Sequence, residues 1–192
     1  MKSVLISIQP KWCSLIASGE KTVEVRKTKP KLEAPFKCYI YATKSGDRLV
    51  LKNDKVFEMS KAITGKVIGE FVCNKVDRMV HCGTCNSDIR LRIVDENLCY
   101  KELDYAYFTK LKLHYPEIDE YSSGGDVYGW HISDLVIYDK PRELSEFQKP
   151  CIRDSGCSGC EYAFWTYDYG FEGCMLEWGL QRPPQSWCYV EE

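Results

Sequence analysis

Apolar and polar positions change period several times along the N-terminal half of the chain. Ser3 to Ile8 reads SVLISI, a β-rich run too short for a helix. Pro10 stands where a helix can begin, because its missing N–H is no loss in a first turn. Trp12, Leu15, Ile16 and Gly19 then fall at i, i+3, i+4 and i+7, which predicts one face of a short helix with Gly19 as its left-handed stop. KTVEVRK follows as a strand. Val23 and Val25 point one way, and Thr22, Glu24 and Arg26 the other. Lys21 shares the valine parity, but its long stem can bend towards either face.

FKCYIYATK is the next predicted strand, rich in aromatic and β-branched residues. The stretch from Ile63 to Val80 suits one long, strongly curved strand, with Gly65 and Gly69 as candidate bulges. Alternation along it places Glu70 on the face of Ile68 and Val72, where its carboxylate is partly buried. A second helix is predicted over Lys101 to Leu113, with Leu103, Ala106, Tyr107 and Leu111 on one side. DVYGWHISDLVIYDKP reads as a strand ended by Pro141. Strands in this order, broken by two helices, predict an α+β fold: a small, mostly antiparallel β-barrel with helices over its openings.

Length and charge narrow the classes. The 192 residues can bury one sizeable core and leave room for a small appendage. A formal charge of -2 lacks the global basic field of many binders of long duplexes, yet leaves room for a local basic cleft. No stretch reaches the roughly 20 apolar residues that span a bilayer, and the start MKSVLISIQPKWC has no signal-peptide pattern. The expectation is a cytoplasmic protein with no membrane partner. Eleven cysteines, an odd number in such a chain, suggest reduced thiols or metal ligands before disulfides.

Gly19-x-Lys21-x-x-Glu24-x-Arg26 matches the G-x-K-x-x-E-x-R signature of the ASCH domain, a branch of the PUA-like superfamily, and the chain resembles that family. SIQPKW before the signature and GWHISDLVIYDKP after it also resemble the family's first and late strands, so the likeness runs in order over roughly residues 3 to 140. The ending RPPQSWCYVEE resembles those of phage- and prophage-encoded members. The resemblance implies a β-barrel with a cleft between the first helix, the signature strand and nearby loops, and binding of RNA or nucleotides. Some similar small proteins hydrolyse N4-acetylcytidine with a lysine, a threonine and a glutamate, and others are reported as ribonucleases. Lys21 matches the lysine of that amidohydrolase pattern, Glu24 stands where the threonine would be, and Glu70 is the candidate for the distal glutamate. The replacement removes a hydroxyl that the deacetylase pattern uses.

Lys21, Glu24 and Glu70 are thus the catalytic candidates, with Lys21 as proton donor or desolvated nucleophile and a glutamate activating water. Set against chemistry are a ligand cleft without turnover and a plain ion-pair cluster at a barrel mouth. Nucleotide binding needs phosphate donors and a flat surface for a base. Arg26, Lys27 and Lys44 are candidates for the first. Trp12, Tyr41, Trp130 and Trp187 are candidates for the second, although Trp12 and Trp130 sit on apolar faces that favour a core role. Gln9 and Ser186 are candidates for hydrogen bonds to base edges.

Cys157-x-x-Cys160 has zinc-knuckle spacing, and with Cys151 and Cys174 it forms a compact set for one structural zinc ion. Cys188 is an alternate for either outer member. Cys82-x-x-Cys85 is a second knuckle, far away in sequence for a shared ion. Residues 1–147 are expected to form the ASCH domain and 148–192 a cysteine-rich extension packed on it. A third functional expectation is a phage interaction module that meets a protein partner through that extension.

Overall fold

The computed structural model describes residues 2–44, 63–81, 91–94, 99–150 and 179–191 in full, and 163–166 and 170–174 as backbone. The strands are β1 (Ser3–Ile8), β2 (Val23–Arg26), β3 (Phe36–Ala42), β4 (Val67–His81), β5 (Leu91–Val94), β6 (Tyr100–Glu102), β7 (Val127–Arg142), β8 (Ala163–Thr166), β9 (Gly170–Cys174) and β10 (Trp187–Val190). The helices are α1 (Pro10–Ala17), α2 (Tyr105–Leu111) and α3 (Tyr115–Ser122), with a 3-10 turn at Leu144–Glu146. The fold is mixed α+β. None of the described helices is long and apolar enough to cross a membrane.

The main sheet is mostly antiparallel. Its pairing runs β10-β1-β3-β4, and from β4 one path continues through β7 to β2 and another through β5 to β6. Among the described strands only β1 and β3 run parallel. The expected barrel is not closed among the described residues, because β2 pairs with β7 alone and β10 with β1 alone. β10 belongs to the main sheet, so the predicted extension contributes a strand to the same body. β8 and β9 form a separate two-stranded sheet.

Both faces of β1 and β3 are covered, which is why they read as apolar runs rather than alternations. Val4, Ile6, Cys38 and Ile40 enter a core beneath α1 together with Phe71 and Trp130. Leu5, Tyr39 and Tyr41 enter a second core with Leu144, Phe147, Leu180 and Val190. A third unites Val23, Val25 and Met79 with Tyr107 and Leu111 of α2 and Ile118 of α3.

Gly19 has φ +73° and no neighbour within 4 Å of a built Cβ, so its backbone conformation, not space, calls for glycine. Its N–H closes on the Ile16 carbonyl, as predicted for the end of α1. The inward face of α1 is rotated from the sequence reading. Pro10, Cys13 and Ile16 are buried, and Trp12 stays partly exposed at the edge. In α2, Tyr107 and Leu111 are buried while Ala106 is exposed; Lys101 and Glu102 belong to β6. β7 continues through Pro141 to Arg142, which pairs with Val67 next to a register shift.

Candidate cleft between the first helix and the signature strand

β2 carries its charges inward. All four of its residues are buried, and Lys21 just before it is 1% exposed, the most enclosed charge among the described residues. The cause is the end of α2. The last carbonyls of a helix lack intrahelical partners and carry partial negative charge. Thr22 N–H donates to the Lys110 carbonyl at 3.0 Å, and Lys21 Nζ donates to the Leu111 carbonyl at 2.5 Å. That clip turns the Lys21 stem, which has the parity of the valines, so that its ammonium lies 3.4 Å from Glu24 Oε2.

Glu24 Oε1 is in turn 3.1 Å from Arg26 Nη2, and the same nitrogen donates to the Ser7 carbonyl at 2.7 Å. Arg26 therefore bridges the gap where β1 and β2 fail to pair. Two polar atoms in this row lack a hydrogen-bond partner, Glu24 Oε2 and Arg26 Nε. Glu24 Oε2 keeps its ion pair with Lys21 Nζ at 3.4 Å. Burial pushes the Lys21 ammonium below the usual lysine range, and the Glu24 carboxylate opposes that shift. Cys13 lies beneath the row, and burial, reinforced by the Glu24 charge, pushes its thiol far up, so it is a packing group.

Lys21, Glu24 and Arg26 line an open cleft of about 730 Å³. Gln9 and Trp12 line it from α1, and Lys27 from the end of β2. The Trp12 ring centroid is 5.1 Å from Lys21 Nζ and 4.4 Å from Lys11 Nζ. The opposite wall is α3 with its C-terminal turn, through Glu117, Glu120, Tyr121 and Ser123. Glu117 accepts from the His114 N–H at 2.8 Å, closing the first turn of α3. A contact of 2.8 Å between His81 Nε2 and Ser122 Oγ ties its last turn to β4. Lys27 reaches across the cleft, 5.2 Å from the Tyr121 ring centroid and 3.4 Å from Ser123 Oγ.

Of the predicted residues, Lys21, Glu24, Arg26, Gln9, Trp12 and Lys27 therefore meet in one cleft. Glu70 does not. It pairs with Lys37 at 3.0 Å and accepts from the Tyr138 hydroxyl, away from the cleft lining. The reason is a bulge. Ile40 pairs with Gly69 and Tyr41 with Val67, so Ile68 is an extra residue and the parity beyond it is reversed. Ile68 enters the core under α1, while Glu70 comes out beside Tyr138. Lys44 lines a neighbouring cleft, and Ser186 is not in the cleft lining; its backbone carbonyl accepts from Ser7 N–H. Trp130 is fully buried, Tyr41 is 2% exposed, and Trp187 donates its ring N–H to Thr28 Oγ1. These three are packing residues. Sequence reasoning missed α3 and its wall, although HYPE carries a helix start, with proline in the first turn and Glu117 at the capping position.

Cys151, Cys157, Cys160, Cys82 and Cys85 lie outside the described residues, and Cys174 is described as backbone alone. Among the described residues no three His, Cys, Asp or Glu side chains gather as a metal site.

Residues 6–100 match the model of the ASCH domain. The matched span is an ASCH domain. Its fold is similar to that of the ASCH protein from Zymomonas mobilis, at 20% identity, 74% coverage of this chain, 73% of that one and a TM-score of 0.47. A tyrosine-to-phenylalanine mutant of the Zymomonas mobilis protein is similar at 19% identity, with 75% and 77% coverage and a TM-score of 0.47. A serine-to-alanine mutant gives 20%, 74% of both chains and 0.46. No curated relative matches at a significant level.

Proposed function

We propose that this ASCH domain binds RNA or a modified nucleoside or nucleotide in the cleft over Lys21, Glu24 and Arg26. One observation carries the reading. A row of buried charges, in which Glu24 Oε2 and Arg26 Nε have no hydrogen-bond partner, floors an open cleft whose edge is a half-exposed tryptophan. Buried unpaired polar atoms cost stability, and a protein keeps them where a ligand or function uses the polarity. Trp12 supplies the flat face on which a base stacks, its exposed neighbour Lys11 yielding the ring.

Hydrolysis keeps Lys21 and Glu24, but Glu70 lies outside the cleft and the further carboxylates that line it, Glu117 and Glu120, stand on the opposite wall, so we favour binding over turnover. A calorimetric screen of nucleosides, acylated cytidines and short RNA, with products measured in the same samples, tests both. Saturable binding without turnover is expected. Turnover lost in Lys21→Met would make the cleft an active site, and no binding at all would overturn the reading. The zinc ion on Cys151, Cys157, Cys160 and Cys174 stays a proposal from spacing, for which elemental analysis should give about one zinc per chain. Contact with a protein partner through that segment, as in a phage factor, is a proposal of the same kind.

A further inference from the structure

The cleft itself is poorly equipped to hold phosphate. Lys21, Arg26 and Lys27 line it, but so do Glu24, Glu117 and Glu120. Lys21 and Arg26 are committed to Glu24 and to backbone carbonyls, and Arg26 is only 8% exposed. Exposed positive charge continues elsewhere. β2 runs into the loop from Lys27 to Pro35, where Lys27, Lys29 and Lys31 are all exposed. The Lys31 N–H donates to the Tyr189 hydroxyl at 2.7 Å, which fastens the loop to β10.

The same loop lines a second cleft of about 660 Å³. Its wall is apolar, from Leu32, Val76, Ile93 and Val94, and its polar groups include Lys29, Asn74 and Lys75. Two carboxylates also line it. Asp77 is consumed, because it accepts from Tyr107 and His131 and pairs with Lys75 at 2.7 Å. Glu33 is exposed.

We propose that this second cleft holds the flanking nucleotides of a single-stranded RNA whose recognised base sits over Lys21, Glu24 and Arg26. The inference rests on the reading of the first cleft and names its ligand as an oligomer. Two residues of chain span at most about 7 Å, so the α-carbons of Lys27 at one cleft and Lys29 at the other are close enough for one short strand to touch both. The apolar wall offers a face to a base and Asn74 an amide to its edge, while Lys29 meets a phosphate. A strand longer than one nucleotide gains contacts that a nucleoside cannot make.

The test uses the full-length protein with uridine, cytidine, their monophosphates, and labelled single-stranded RNAs of two, four and eight nucleotides. Affinity should rise with length and level off once both clefts are spanned. Lys29→Gln should weaken the longest RNA about tenfold and lower the salt slope by about 0.7, leaving the nucleoside unchanged. Glu33→Gln should strengthen it about two- to fivefold. Neither residue is buried, so the fold survives, and a melting curve checks that. If oligomers bind no tighter than a monophosphate and Lys29→Gln changes nothing, the second cleft is no part of the site, while the first reading stands. If neither nucleosides nor oligomers bind, both readings fall.

Discussion

The two faces of the β2–β7 ladder hold two polar clusters built on opposite terms. Glu24 stands opposite Trp130 and Val23 opposite His131, so the cleft row and His131 project from opposite faces. On the cleft face, Lys21, Glu24 and Arg26 are buried, yet Glu24 Oε2 and Arg26 Nε lack hydrogen-bond partners. On the other face, Asp77 Oδ2 accepts from the Tyr107 hydroxyl at 2.9 Å and contacts His131 Nε2 at 2.6 Å, while Oδ1 meets Lys75. Burial alone would raise the Asp77 carboxyl. The hydrogen bonds from His131, Lys75 and Tyr107 outweigh it and hold the group well below the usual carboxylate range. The Asp77 cluster is saturated and joins α2 to the sheet. The cleft row leaves Glu24 Oε2 and Arg26 Nε without hydrogen-bond partners, and in the function proposed above the ligand supplies them.

Breaking the cleft row should have the largest effect. Glu24→Ala leaves two buried cations without their carboxylate and should cost about 3–5 kcal/mol in urea unfolding. The triple change Lys21→Met, Glu24→Leu, Arg26→Met removes every charge together. It should leave stability unchanged or raise it by about 1–4 kcal/mol while abolishing ligand binding by calorimetry. That pair of results would establish that the row is kept for function rather than for stability.

The opposite face should respond to smaller disturbances. A Cβ at Gly129 would lie 2.5 Å from the Tyr107 hydroxyl and 3.0 Å from Val23 Cγ1, so Gly129→Ala should cost about 1–3 kcal/mol. The Asp77 carboxylate contributes stability fully above the ordinary carboxylate range, about pH 4, and loses it as pH falls towards its depressed value. Unfolding measured from pH 7 down to pH 2 should therefore fall less steeply in Asp77→Asn than in the native protein. The smallest effect on the fold is expected at the rim of the cleft. Trp12→Ala should cost about 1–3 kcal/mol of nucleotide binding with little change in melting temperature. A loss of fold instead would move Trp12 from the site to the core.

Much of this was legible in the residues. Period-two alternation fixed which charges of β2 share a face, and the glycine after an apolar helical face marked the end of α1. The chemistry of the floor, a lysine, a carboxylate and a guanidinium within six residues, was likewise open to view. Glu70 was misplaced because alternation assumes an unbroken ladder, and the extra residue at Ile68 lies in the pairing of β4 with its neighbours. Gly69 hinted at it, since a Cβ there would lie 2.4 Å from the Val136 carbonyl, but a glycine cannot say which way the parity turns.

What the sequence determined alone is local: periods, turns, and the order of charges along each strand, all set by neighbours in the chain. What only the tertiary structure decided is where those charges look. Lys21 joins the cleft because the open end of α2, 90 residues further on, offers a carbonyl to its ammonium. Asp77, His131 and Tyr107 meet because β4, β7 and α2 pack together, and no period in any one of them announces the other two. Side-chain parity follows from the backbone's own geometry, whereas the partner across the gap follows from packing between segments remote in sequence.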